Sequence, residues 1–207
     1  LQQLVNKDAY STRLNIIENV ESEIGEIISG YRNKCPDGYM PLFLDIGGRR
    51  GEQSFYGWGF QYQIMDLIPR LHGTIVGDIC SCPHILDESY DVVLSSDVLE
   101  HVKEPWSTAE ECVRIAKTGG LLIHISPFSW RYHPFPEDYY RFTHDGLAYL
   151  FERTGRVERL LSGYDISLRR WNAKGGDPEA HGLDVPPIDS MGGWLENWKT
   201  VYVCRKL

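Results

Sequence analysis

The sequence predicts an α/β fold in which a mostly parallel sheet lies between two layers of helices. Three observations carry this. Short, almost unbroken apolar runs recur along the chain, segments of helical periodicity separate them, and several runs end on glycine or aspartate. A strand with one wet face alternates apolar and polar residues, whereas a run without alternation needs cover on both faces, as in parallel sheets with helical crossovers. At 207 residues the chain suits a single domain, 1–207, and one of that size buries roughly 70% of its unfolded surface.

The first element is an amphipathic helix over about 11–31. Ser11 and Thr12 are candidate caps, and Leu14, Ile17, Val20, Ile24, Ile27 and Ile28 recur at helical spacing among glutamates. Gly30 and the turn Cys35-Pro36-Asp37-Gly38 end it. Pro41 to Ile46 reads as a buried strand running into glycines. Gln61 to Asp66, Thr74 to Asp78 and Tyr90 to Ser95 read as the next three. Pro105 opens a helix over 105–117, since a missing amide is harmless in the first turn, and Gly119-Gly120 stops it. Leu121 to Ser126 is a fifth strand, and Thr143 to Arg153 a helix with Gly155 behind it. Val157 to Leu161 and Thr200 to Cys204 read as closing strands. The long Gly/Pro-rich stretch between them, with Trp171, Trp194 and Trp198, is too long for a plain connection and too aromatic for full disorder.

Composition narrows the function. With 29 acidic against 21 basic residues the net charge is −8, so a nucleic-acid partner, which needs a basic footprint, is not expected. No apolar run approaches the ~20 residues of a membrane span, and the segment Leu1 to Tyr10 is polar, without the apolar core of a signal peptide. Five scattered cysteines read as reduced thiols of a cytoplasmic protein. Cys80-Ser81-Cys82 with His84 nearby has no second pair at ligand spacing, so no metal site is expected from the sequence.

Ligands of open parallel sheets bind at the carboxyl ends of the strands, and four strand ends here carry small or polar groups. Asp45-Ile46-Gly47-Gly48 forms a glycine turn that lets a ligand approach the backbone. It is neither the dinucleotide pattern G-x-G-x-x-G nor a phosphate loop, and its acidic residue suits a ligand bearing an ammonium. Asp66 lies 21 positions after Asp45, where a carboxylate can grip a ribose diol. Asp78-Ile79 could hold an adenine amine, and Ser95-Ser96-Asp97-Val98-Leu99-Glu100-His101-Val102 ends the fourth strand. Each aspartate alone would read as a solvated turn or cap. The ordered series is what points to a site.

These stretches resemble the class I S-adenosylmethionine-dependent methyltransferases, in particular the methyltransferase-type-11 group. The resemblance rests on Phe43 to Gly48, Asp66, Gly77-Asp78, Tyr90 to Ser95, Val98 to Val102, Gly119 to Leu122 and His133 to Thr143, about residues 42–155. It implies a Rossmann-like three-layer sandwich with a seven-stranded, mostly parallel sheet whose last strand is antiparallel. It implies S-adenosyl-L-methionine as cofactor and S-adenosyl-L-homocysteine as product. Asp45, Gly47 and Gly48 would border the methionine part, Asp66 with Leu67 the ribose side, Asp78 and Ile79 the adenine, and Ser95 the methionyl end through its backbone. A cofactor-binding core would occupy about 41–126, and segments at about 127–142 and 171–198 would face the acceptor. Histidine-proline segments such as the one from His133 occur in members linked to glycan and lipopolysaccharide assembly, so the expected acceptor is a small molecule or a glycan- or lipid-linked hydroxyl. Arg49 departs from the pattern, standing where many relatives keep glycine, and has to turn its side chain away; Gly57 and Gly59 weaken the helix expected after the turn.

Displacement at a sulfonium needs alignment more than acid catalysis, and a base is required only for an acceptor such as a sugar hydroxyl. His133 is the first candidate base and His101 the second, with Tyr139, Tyr140 and Arg141 orienting an acceptor or packing, and Trp130 and Phe135 offering a stacking surface. A nicotinamide reductase would need a dinucleotide fingerprint and a tyrosine-lysine pair, and neither is found. The alternative from another class is a methyltransferase fold serving as a non-catalytic binding or scaffold protein. The first helix and the late loop offer surfaces for a homodimer.

Overall fold

The computed structural model describes residues 15–48, 59–69, 72–130, 132–134, 136–167 and 197–207. Residues 11–14 of the expected first helix, Arg49, Gly57, Phe135, Trp171 and Trp194 lie outside the described residues, with most of the late loop.

Helix α1 spans Val20–Arg32 and is followed by strands β1 (Leu42–Ile46), β2 (Gln61–Asp66), β3 (Ile75–Val76) and β4 (Tyr90–Ser96). A 3₁₀ turn at Leu99–His101 leads into α2 (Pro105–Ile115), β5 (Ala116–Ser129), α3 (His144–Glu152), β6 (Val157–Asp165) and β7 (Trp198–Lys206). The seven strands form one sheet in the order β3-β2-β1-β4-β5-β7-β6. Strands β1 to β5 pair in parallel. β7 lies antiparallel between β5 and β6. The chain winds outward from β1 through β2 to β3, then returns to β4 on the other side of β1. The strand order therefore reverses between β1 and β4, the place where such sheets open a binding crevice.

The apolar runs now have their physical reason. Phe43, Val92, Leu94, Ile123, Val201 and Val203 share one core with Val20, Ile24 and Ile28 of α1. Their neighbours Leu44, Val93, Leu122, Tyr202 and Cys204 share the opposite core with α2 and α3. Successive residues alternate between two dry faces, so neither face could be polar. Among the described residues no helix is long and apolar enough to cross a membrane.

The first helix begins later than its periodicity suggests. Asn19 caps it, its side chain accepting from the Ser22 amide at 3.0 Å, and Glu21 and Glu23 complement the first-turn dipole. Upstream, Ile16 bridges to β6: Ile17 N–H donates to Tyr164 O at 2.9 Å and Tyr164 N–H to Asn15 O at 3.0 Å. Gly163 permits that approach, since a Cβ there would lie 2.1 Å from Asn15 O. Ile17 is buried by this strand-like contact and not by a helical stripe. The third strand is shorter than expected and β5, β6 and β7 are longer; β7 pairs antiparallel with β5 from Trp198 to Arg205 and with β6 from Lys199 to Lys206.

Candidate functional site

The site begins where β1 stops. Gly47 turns the chain with φ +70°, and its amide donates to Met65 O at 2.7 Å. A Cβ there would meet Val98 Cγ2 at 2.6 Å, so conformation and space both demand glycine. Gly47→Ala is expected to cost about 2–3 kcal/mol in urea unfolding; a loss under about 0.5 kcal/mol would show that the turn relaxes freely.

Asp45 sits behind this turn, buried and accepting a short hydrogen bond from the Tyr62 hydroxyl. Burial pushes its carboxyl up to about 6, although the Tyr62 hydrogen bond works against the rise. The folded state therefore binds more protons than the unfolded one between the ordinary value of 3.8 and about 6, and stability falls as pH rises through that window. Asp45→Asn is expected to raise the ligand-free protein's stability by about 1–3 kcal/mol at pH 7.5, with the gain disappearing near pH 4. Thermal melts of both proteins at the two pH values check this; an equal gain at both would contradict the buried charge.

Five of the expected cofactor residues line one cleft of about 170 Å³ at the strand tips: Gly47, Asp66, Leu67, Asp78 and Ile79. Asp66 ends β2, and its Oδ1 accepts from the Ile68 amide at 3.2 Å, an Asx turn that restrains the carboxylate. Asp78 makes the same kind of turn with the Cys80 amide at 2.8 Å, next to the buried Ile79. Asp45, Gly48 and Ser95 stand outside the lining. The Ser95 side chain is buried, its hydroxyl 2.7 Å from His124 Nδ1. Burial pushes His124 down to about 3, so that ring stays neutral.

The opposite wall comes from the β4 tip, which includes residues whose part the sequence did not reveal. Asp97 lines the cleft in a left-handed conformation, φ +57°, and pairs with Lys199 of β7 at 2.8 Å. The two candidate bases meet there. His101 lines the cleft, and His133 stacks edge-on against it with ring centroids 4.9 Å apart. His101 Nδ1 contacts Glu137 O, while His133 Nδ1 lies 3.2 Å from Asp138 Oδ2. The Arg141 guanidinium clamps Asp138 through two nitrogens and holds its carboxyl down to about 2. The loop is tied back to the 3₁₀ turn by the Tyr139 amide, which donates to Glu100 O at 2.7 Å. Tyr140 donates its hydroxyl to Lys103 O at 3.1 Å, so it packs the loop. The sequence singles out His101, His133, Tyr139, Tyr140 and Arg141 here, but gives the Glu100 and Asp138 carboxylates no part.

With this geometry in hand, residues 61–124 match the family described as a methyltransferase domain. An uncharacterized methyltransferase of Mycolicibacterium vanbaalenii is 34% identical over 93 residues, covering 39% of this chain and 36% of the relative. The match thus spans little more than a third of that relative's length. Among solved structures, the 1,6-didemethyltoxoflavin-N1-methyltransferase of Burkholderia thailandensis, with bound S-adenosylhomocysteine, is similar with TM-score 0.55 and 16% identity over 88% of this chain and 76% of that one. The [4+2]-cyclase SpnF is similar with TM-score 0.53 and 16% identity over 88% and 81%. At such identities these two speak for the fold, and the cyclase shows that one fold hosts different reactions. The sheet order and the solved structures show a Rossmann-like α/β fold, and residues 61–124 carry the similarity to a methyltransferase domain.

Proposed function

We propose that this chain is an S-adenosylmethionine-dependent methyltransferase acting on a hydroxyl of a small-molecule or a glycan- or lipid-linked acceptor. The observation that carries the reading is the cleft at the strand-order switch, where the Gly47 bend, two carboxylates at successive strand tips and an apolar floor converge. These residues fit the cofactor. The bare Gly47 backbone leaves room that a Cβ would close against Val98. In this reading Asp66 accepts from two ribose hydroxyls, and Asp78 with Ile79 meets the adenine amine and ring; all three line the cleft. Leu67, 57% exposed, supplies apolar cover. Asp45 and Gly48 border the methionine end, where an ammonium would favour the ionised form of a carboxyl that burial pushes up to about 6. Ser95 contributes backbone, since its hydroxyl is engaged with His124.

When bound, the cofactor supplies a methyl group on a sulfonium, an electrophile whose leaving group needs no proton. The chain's own work is then alignment, exclusion of water and management of the acceptor's proton. A carbonyl can only accept, so His101 Nδ1 carries the hydrogen and Nε2 presents its lone pair. His101 is thus the base candidate that faces the cleft, and His133 supports it from behind. Five free thiols fit a reducing, cytoplasmic compartment.

The test is release of S-adenosylhomocysteine by purified protein given the cofactor and a panel of sugar, lipid-linked and phenolic hydroxyls. Acceptor-dependent release is the expected result. Thermal stabilisation by the cofactor, about 2.7 kcal/mol at a hundred times Kd, without release on any acceptor would favour the scaffold alternative.

A further inference from the structure

Glu100 is wholly buried, yet its Oε1 meets no hydrogen-bond partner among the described residues. Its other oxygen accepts from the Ser126 hydroxyl at 3.2 Å. A buried carboxylate oxygen without a donor is costly and calls for an occupant. Two imidazole nitrogens face it: His101 Nε2 at 3.6 Å and His133 Nε2 at 3.8 Å. These separations are too long for hydrogen bonds. They are close to what a single ion would bridge, because ligands ~2.0–2.1 Å from a tetrahedral metal stand roughly 3.4 Å apart.

The outer contacts have the form that metal-binding histidines take. Each ring's Nδ1 is turned to an oxygen, Glu137 O for His101 and Asp138 Oδ2 for His133, which directs each Nε2 lone pair inward. Arg141 fixes Asp138 in turn. The three donor atoms lie within 4.8 Å of one another.

We propose that Glu100, His101 and His133 form a two-histidine, one-carboxylate site for a divalent first-row transition metal at the acceptor end of the cleft. Such a set occupies one face of the ion and leaves positions open for an outside oxygen. Because His101 also lines the cofactor cleft, an open position would hold an oxygen of the acceptor beside it. This role rests on the methyl-transfer reading; metal binding itself does not. In the metal-bound state the imidazoles serve as ligands and the ion would polarise the acceptor hydroxyl, whose proton would pass to solvent water as its oxygen takes the methyl group and the sulfonium's C–S bond breaks. Sequence spacing hid the site, since His133 is 32 positions from His101 and joins it only through the loop tied to Glu100 O.

The experiment is titration of tag-free, metal-stripped protein with Co²⁺, followed by visible absorption, with Zn²⁺ as competitor. The expected result is one Co²⁺ per chain, displaced by Zn²⁺, with affinity at least tenfold weaker in Glu100→Gln and in His101→Gln and also weakened in Asp138→Asn. Circular dichroism confirms that each variant is folded, and His101→Gln, at a partly exposed position, serves if Glu100→Gln does not fold. Native protein that binds Co²⁺ no better than His101→Gln overturns the proposal. Cofactor binding is measured separately on the metal-free protein. Cofactor uptake without Co²⁺ uptake sinks only the metal site, and Co²⁺ uptake without cofactor uptake upholds the site while removing its assigned role.

Discussion

Asp66→Ala is expected to weaken S-adenosylmethionine binding by about 30- to 150-fold, or about 2–3 kcal/mol. The carboxylate ends β2, half-buried in the cleft wall, and its Asx turn with Ile68 holds it in place before any ligand arrives. Preorganisation of this kind puts more of each hydrogen bond into affinity, because less side-chain freedom is lost on binding. Hydrogen bonds to a charged acceptor contribute about 1.5–3 kcal/mol each, and a ribose offers two hydroxyls. Folding should barely notice the change, with a loss within about 1 kcal/mol, since the residue carries no core packing. Calorimetric titration beside a thermal melt separates the two effects. A variant that binds as tightly as the parent would remove Asp66 from the site; one that loses affinity only because it melts would make it structural.

Asp91→Ala is expected to lower unfolding stability by about 3–5 kcal/mol. Asp91 is buried at the start of β4 and gathers four donors from separate elements. The Tyr31 hydroxyl of α1 donates at 2.6 Å, the Tyr39 hydroxyl at 2.8 Å, the Leu42 amide of β1 at 2.9 Å and the Lys117 ammonium of β5 at 2.8 Å. Burial alone would raise its pKa, but the Lys117, Tyr31, Leu42 and Tyr39 hydrogen bonds outweigh that and hold the carboxyl below its usual value. Its contribution is therefore present above the unfolded value of 3.8 and lost as pH falls through the lower folded value. Asp91→Asn, which keeps an acceptor and loses the charge, should fall between the parent and the alanine variant. Urea unfolding at pH 7.5 checks both. A loss under about 1 kcal/mol for Asp91→Ala would mean that water replaces the carboxylate at little cost.

The strands were legible because burial on two faces leaves a plain trace: Val92, Val93 and Leu94 have no polar neighbour among them, with Val93 facing one core and Val92 and Leu94 the other. The cleft was legible for a related reason. Parallel strands all present their carboxyl ends to one side, so Gly47, Asp66 and Asp78, far apart in sequence, are gathered by topology alone. The start of α1 misled because Ile17 keeps the helical rhythm while its amide is bonded to Tyr164 O of β6. The decisive signal there was Asn19, a side chain that satisfies amides at a helix start better than inside one. The Asp91 cluster and the Glu100–Ser126 contact were illegible because their partners come from distant elements with no fixed spacing. A carboxylate in an apolar run says that something must satisfy it, not what does.

The proposed activity requires that the strand-tip cleft take an adenosyl sulfonium and its product. Isothermal titration of S-adenosylhomocysteine into the native chain tests this with no assumption about the acceptor. Saturable binding of one molecule per chain, at micromolar Kd and sharply weakened in Asp66→Ala, is the predicted result. Absence of binding at millimolar ligand, with the protein folded by circular dichroism, would contradict it.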